Sequence, residues 1–335
     1  MVTVTDEMVA TYQRDGVVLL KGLWADWVDM LRAGIARNMA APTHQMATLK
    51  PGEPGYFFDD YCNWTKVPEF GAVIRQSRVA DVAARLMGSD RVQMFHDHVL
   101  VKEPGTAKPT PWHTDGPYYF VEGKQTVSFW SPLDPVKEAS LRCVAGSHLW
   151  PKDVLPTRWM SETNFYPGED DYMPVPDPEA EGMVIREWEM EPGDAVAFNF
   201  RTLHGARGNL AATRRRAFSL RLVGEDARYV ERAGPTSPPT RPGSPPSATS
   251  STRSWAAAAE HCASMRTAPG TRRRPRRRCV ASAPTTWSTS SSPAAASTSC
   301  GRCDASRTFR SPSTRPFARR TTPPGCGCAS SPTSP

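Results

Sequence analysis

The sequence predicts a mainly β protein: a β-barrel or β-sandwich core with flanking helices, followed by a disordered C-terminal tail. Three observations carry this. Helix-like segments are confined to residues 5–88. From Val92 onward the chain becomes a series of short strand-like runs separated by Gly and Pro turns. Residues 233–335 contain no Leu, Ile, Lys, Asn, Gln or Tyr. Helices first and many short strands after them suit a closed or two-layered β core packed on its outside by helices.

Each element has its own local cause. Thr5 followed by Asp6 and Glu7 is a helix start with acid in its first turn. Met8, Val9 and Tyr12 then recur at helical spacing until Gly16 stops the helix. "VVLLKGLW" is a short buried strand with its exit turn. Residues 26–39 form a second helix with Trp27, Met30, Leu31 and Ile35 on one face. Residues 66–87 hold one or two more, ending at Gly88. The strands follow in "VQMFHDHVLVKEPG", "QTVSFWSPLDP", "LRCVAGSH", "MVIREWEMEPGDAVAFNF" and "RRAFSLRLVG". Residues 150–182, rich in Pro, Asp and aromatics, lack periodicity; a loop this long is usually functional and is expected over the mouth of the barrel.

Charge and cysteine divide where the composition does. The tail carries 15 Arg against Glu260 and Asp304, a net of +13, while residues 1–232 carry 26 Lys+Arg against 32 Asp+Glu, a net of −6. The overall +7 therefore belongs to the tail, and a nucleic-acid partner for the folded part is not indicated. A segment with so little apolar surface cannot offset the entropy of ordering itself. Its Arg, Pro, Ser, Ala and Thr bias reads as a GC-rich gene translated out of frame from about residue 240. Residues 1–239 are accordingly expected to be the domain and 240–335 a frameshifted or disordered tail. Only Cys62 and Cys143 lie in the globular part, so a disulfide scaffold is not indicated. No signal peptide and no apolar run of membrane-spanning length is visible, and the expectation is a soluble cytoplasmic protein.

The chemistry gathers around "PWHTDGPYYF", residues 111–120. His113 and Asp115 are two residues apart; His-x-Asp alone is common and needs a third partner. His44, His96, His98, His148 and His204 are candidates, and His204 stands out. It lies between the strand of "EPGDAVAFNFRTL" and the turn "GARGN", where a barrel rim would hold a ligand on rigid backbone. Two His and one carboxylate on one face of a metal leave the opposite face open, the facial triad of non-haem Fe(II) oxygenases. A dianionic cosubstrate such as 2-oxoglutarate needs a fixed cation, and "TRRRAFSLRL" supplies arginines on the following strand. With a period of two, Arg215, Ala217, Ser219 and Arg221 share one face, and Arg214 and Arg216 the other. Lys102 reads as an exposed rim cation, His96 as structural, His148 as a turn residue, and Trp112, Trp188 and Cys143 as packing. Tyr118, Tyr119 and Phe120 are core or pocket lining.

With these residues in order, the chain resembles the phytanoyl-CoA dioxygenase family over roughly residues 5–239. The resemblance rests on "HDHVLVKEPGTAKPTPWHTDGPYY", "VAGSH", "EPGDAVAFNFRTLHGARGN" and "RRRAFSLRLVGEDARYVER". It implies a double-stranded β-helix (jelly-roll, cupin-like) barrel core and an enzyme dependent on Fe(II), 2-oxoglutarate and O2. Such an enzyme would hydroxylate an unactivated C–H bond of a small-molecule substrate, with release of succinate and CO2. It implies His113, Asp115 and His204 as iron ligands. Arg215 falls where the family's 2-oxoglutarate arginine lies, eleven residues after His204, and Asn209 matches a family position. His98, Thr114 and Trp130 fall near 2-oxoglutarate, although the family more often has Gln where this chain has Thr114. Related halogenases carry a small residue where this chain has Asp115, so hydroxylation is favoured over chlorination. A non-oxidative cupin-like metalloenzyme and an inactive 2-oxoglutarate- or metal-binding module remain as alternatives.

Overall fold

The computed structural model describes residues 2–43, 55–137, 141–158, 163–166 and 171–239. The expectations for residues 240–335 and for His44 lie outside the described residues. In chain order the elements are α1 (Asp6–Asp15), β1 (Val17–Leu20), α2 (Val28–Ala40), β2 (Phe57–Tyr61), α3 (Pro68–Gln76), α4 (Val79–Met87), β3 (Gln93–Lys102) and β4 (Thr110–His113). Then follow β5 (Val121–Glu122), β6 (Thr126–Pro132), β7 (Leu141–Val144), β8 (Ile185–Arg186), β9 (Ala195–Phe198), β10 (His204–Ala206), β11 (Arg215–Val223) and β12 (Arg228–Tyr229).

The helix boundaries follow from local chemistry. The Thr5 hydroxyl accepts from the Met8 backbone N–H at 3.2 Å, and Gly16 closes α1 in the left-handed region at φ 72°. Gly88 closes α4 in the same way at φ 66°. In α2 the expected Leu31 and Ile35 are buried, joined by Val28, Gly34 and Asn38, whereas Met30 points to solvent. Phe70 of α3 lies so close to Gly34 that an added Cβ would sit 2.5 Å from its ring, so only glycine lets the two helices meet there.

The strands form two principal sheets. One has six strands in the order β1-β9-β6-β11-β3-β2, and the other four in the order β4-β10-β7-β8; β12 pairs with β5 in a small ribbon. Every pairing between these strands is antiparallel. This is the double-stranded β-helix architecture. Period-two alternation divides the large sheet into two faces. On β11, Phe218, Leu220 and Leu222 join the cluster shared with the helices, where Trp24, Leu31, Ile35 and Phe70 also lie. Ala217 and Trp130 instead pack with Leu141 and Cys143 of the small sheet. One buried layer therefore lies between helices and large sheet, and another between the two sheets.

Phe218 is the keystone of the first layer. It is fully buried, with ring centroids 5.3 Å from Trp24 and 4.9 Å from Phe70. Phe218→Ala leaves a cavity that three different elements would have to collapse into. It is expected to cost about 3–5 kcal/mol, read as a lowered urea midpoint with unchanged m-value.

Candidate metal centre

The centre is built by one strand pairing. β10 lies against β4 with His204 directly opposite His113. Facing residues on an antiparallel pair have Cβ atoms about 4.5–5.5 Å apart; the two imidazole centroids here are 4.2 Å apart. Asp115 follows β4 in a tight turn, and its position is set by backbone. The N–H groups of Asp115 and Gly116 donate to Phe200 O at 2.8 and 2.9 Å, tying this turn to the approach to β10. His113, Asp115 and His204 are all buried, and one donor atom from each lies within 4.8 Å of the other two.

Backbone carbonyls decide which imidazole nitrogens are available. His113 Nδ1 is 2.8 Å from Pro111 O, and His204 Nδ1 is 2.9 Å from Thr202 O. A carbonyl oxygen only accepts, so each Nδ1 carries the proton and each Nε2 presents a bare lone pair. Both Nε2 atoms face Asp115 Oδ1, at 3.8 and 3.9 Å. Burial, with His204 and Arg221 nearby, pulls the His113 pKa down to about 3, and burial lowers His204 as well. Burial alone would raise Asp115, but Arg221 and the two imidazoles outweigh it and hold the carboxyl below its usual range. Two neutral imidazoles beside an ionised carboxylate is the protonation state a divalent cation requires. The donor set, two nitrogens and one anionic oxygen, suits iron(II).

The other sheet supplies the opposite wall. His98, Leu100 and Lys102 of β3 line the same cavity as Arg215, Ser219 and Arg221 of β11. Their register explains it, with Ser219 opposite His98, Ala217 opposite Leu100 and Arg215 opposite Lys102. Arg221 lies at the Asp115 end and Arg215 at the other. The outward arginines are engaged elsewhere, Arg216 with Asp134 at 2.5 Å and Arg214 with Glu103 at 2.6 Å. The Arg215 guanidinium sits over the Trp130 ring, 5.8 Å from its centroid, and burial draws its pKa down to about 10, still protonated at neutral pH.

Lys102 corrects the sequence reading. It is 2% exposed, not a rim cation. β2 pairs alongside β3 and sets Phe57 against it, with the ammonium 5.3 Å from the ring centroid. Its Nζ donates to Thr110 Oγ1 at 3.2 Å, Lys108 O at 3.3 Å and Arg207 O at 3.4 Å. Burial, with the charge of Arg215 beside it, pulls its pKa down to about 7. The sequence signal was its spacing of four from His98, which a period of two puts on the same face.

The remaining residues fall into place around the cavity. Trp130 lines it, and so does His98, whose Nε2–H donates to Asp59 Oδ1. Thr114 is buried but is not among the residues lining the cavity. Asn209 fastens two loops, its Nδ2 donating to Lys102 O and Thr213 O at 2.9 Å each. Tyr119 and Phe120 pack with Phe95 and Phe200 in a separate aromatic cluster. The Tyr118 hydroxyl donates to Thr157 O at 2.7 Å and accepts from Thr157 N–H at 2.8 Å, pinning one point of the 150–182 segment near the Asp115 turn. Cys143 is buried opposite His204, and burial pushes its thiol pKa up, so it stays an inert packing group. His148 packs against the end of α1, its Nε2 3.2 Å from Gln13 O.

A double-stranded β-helix that converges two imidazoles and a carboxylate in a buried cavity with cations along its wall has the build of the non-haem iron oxygenases. The sequence model of phytanoyl-CoA dioxygenase matches residues 12–217, and the chain belongs to that family of iron- and 2-oxoglutarate-dependent oxygenases. Solved structures share the fold. The alpha ketoglutarate dependent carbocyclase SnoK from nogalamycin biosynthesis is 21% identical with a TM-score of 0.56, over 69% of this chain and 88% of that one. The epimerase SnoN, in complex with Fe3+, alpha ketoglutarate and nogalamycin RO, is 21% identical with a TM-score of 0.54, over 68% and 86%. EctD from S. alaskensis, with 2-oxoglutarate and 5-hydroxyectoine, is 22% identical with a TM-score of 0.54, over 71% and 82%. No curated protein matches the chain in sequence. Among the described residues no helix is long and apolar enough to cross a membrane.

Proposed function

We propose that this chain hydroxylates an unactivated C–H bond of a small-molecule substrate, converting 2-oxoglutarate and O2 to succinate and CO2 in the same turnover. The observation that carries this reading is the convergence of His113 Nε2, His204 Nε2 and Asp115 Oδ1 from a fixed strand pairing. When bound there, iron(II) supplies the dioxygen chemistry that couples loss of CO2 from 2-oxoglutarate to oxidation of the substrate. The protein's part is to bind, orient and exclude water. His113, Asp115 and His204 hold the metal while neutralising only one of its charges. Arg215, stacked over Trp130, pairs with the far carboxylate of 2-oxoglutarate, and Lys102 across the strand pair provides a second cation at that end.

The reaction is read by incubating the protein with Fe(II), 2-oxoglutarate and a panel of small polar metabolites under labelled O2. Hydroxylation predicts succinate release together with a product one labelled oxygen heavier than its substrate. Since relatives of this fold are described as an epimerase and a carbocyclase, succinate release with an isomeric or cyclised product would replace hydroxylation by that outcome. No dependence on 2-oxoglutarate would point to non-oxidative metal chemistry.

Lys102 makes binding pH-dependent in a defined direction. Its pKa of about 7 lies below that of a free lysine, so above about pH 7 the unliganded cavity has lost this proton. A dianion favours the charged form, so the bound complex holds the proton to higher pH. Above about pH 7, 2-oxoglutarate binding is therefore expected to take up a proton and to weaken as pH rises, by up to about tenfold per unit. Calorimetry in two buffers of different ionisation enthalpy measures that uptake, and Lys102→Met is expected to abolish it. Binding without proton uptake in the unmodified protein would remove Lys102 from this role.

A further inference from the structure

Arg221 has no part in the function proposed above, yet its guanidinium is buried against the metal-binding carboxylate. It is 6% exposed, on the cavity face of β11. Its Nε lies 3.4 Å from Asp115 Oδ2 and donates to the Tyr119 hydroxyl, and its Nη1 donates to Ser219 Oγ at 3.2 Å. The same oxygen, Oδ2, accepts from Ser128 Oγ at 3.3 Å. The other oxygen, Oδ1, faces both imidazole Nε2 atoms. The two carboxylate oxygens are thus sorted, one toward the metal donors and one toward the Ser128 hydroxyl of β6 and the guanidinium charge of Arg221 on β11.

That sorting has a consequence for coordination. A carboxylate with two free oxygens can bind a cation through one or both, and binding through both uses two positions. A bidentate cosubstrate and O2 need the three positions that a facial triad leaves open. We propose that Arg221, supported by Ser128, is the positioning residue that reserves Asp115 Oδ2 and so confines the metal to Oδ1, keeping the third open position available. An arginine suits this place because its planar guanidinium donates to Tyr119 and Ser219 from two nitrogens while its charge stays beside Asp115, which the point charge of a lysine cannot reproduce. The inference rests on the metal-centre reading of His113, Asp115 and His204.

The test is an anaerobic titration of the full chain with Fe(II) and then 2-oxoglutarate, followed by visible absorption, on the unmodified protein and on Arg221→Gln, Arg221→Lys and Ser128→Ala, with Tm measured for each. Arg221→Gln is expected to bind Fe(II) still, with a shifted charge-transfer band and a Kd for 2-oxoglutarate raised about tenfold, the low end of what losing an outer-shell partner costs. Arg221→Lys is expected to recover part of that affinity, and Ser128→Ala to move band and Kd in the same direction by less. A role in folding alone would lower Tm and leave the band and the Kd of folded protein unchanged, which overturns the proposal. Should Arg221→Gln fail to fold, the other two variants decide, and an unmoved band and Kd in both overturn it equally. A missing band in the unmodified protein would instead sink the metal-centre reading and this inference with it.

Discussion

Asp115→Ala is expected to abolish coupled turnover and to weaken Fe(II) binding by at least about 100-fold, the upper end of what even an outer-shell change costs at a metal site. The loss is large because Asp115 does two things at once. Among the described residues its Oδ1 is the only anionic donor facing the two Nε2 atoms, so without it they offer a divalent cation two neutral nitrogens and no charge. Its Oδ2 also balances Arg221, which is buried beside it. Removing one member of a buried ion pair leaves the other desolvated and costs about 3–5 kcal/mol. The variant should therefore show a lower Tm as well as lost metal binding. Asp115→Ala with Arg221→Gln is expected to regain much of the stability and none of the metal affinity. Substantial succinate-coupled oxidation by Asp115→Ala would contradict the role given to this carboxylate.

Arg215→Met is expected to raise the Kd for 2-oxoglutarate at least about 30-fold, corresponding to about 2 kcal/mol, the low end of the cost of truncating one partner of a buried charge pair. Fe(II) affinity should stay unchanged, because Arg215 lies at the far end of β11 from Asp115. Stability should hold or rise. The Arg215 guanidinium is buried beside a second cation, Lys102, and a methionine of similar length fills the space over Trp130 without that repulsion. Equilibrium dialysis against labelled 2-oxoglutarate, with Tm measured in parallel, separates the two effects. An unchanged Kd would remove Arg215 from cosubstrate binding.

Much of the site was legible because it sits on strands, where alternation is strict. Given a strand over "RRAFSLRLV", a period of two puts Arg215 on the cavity face with Arg221 and sends Arg216 outward, as observed. His113 stands out by its spacing of two from Asp115 and His204 by its place between a strand and a glycine turn, and the β4–β10 pairing sets them face to face. Lys102 was misjudged because its burial is decided by other segments, namely β2 alongside it and the carbonyls of Lys108 and Arg207 over its ammonium. The face of Arg221 was legible but not its partner, since Asp115 belongs to the other sheet and no local pattern connects them. Asp59, the acceptor for His98, escaped notice for the same reason. Helical period places Met30 inward with Leu31 and Ile35, yet it lies at the edge of that buried face and is exposed.

The central claim is that His113, Asp115 and His204 bind iron in a form that accepts 2-oxoglutarate. Its most direct test is the anaerobic titration of purified full chain with Fe(II) and 2-oxoglutarate, watched by visible absorption, with His113→Ala as the control. The account predicts a weak charge-transfer band that requires both additions and is absent in His113→Ala. A folded protein that gives no band, or gives the same band in His113→Ala, would contradict it.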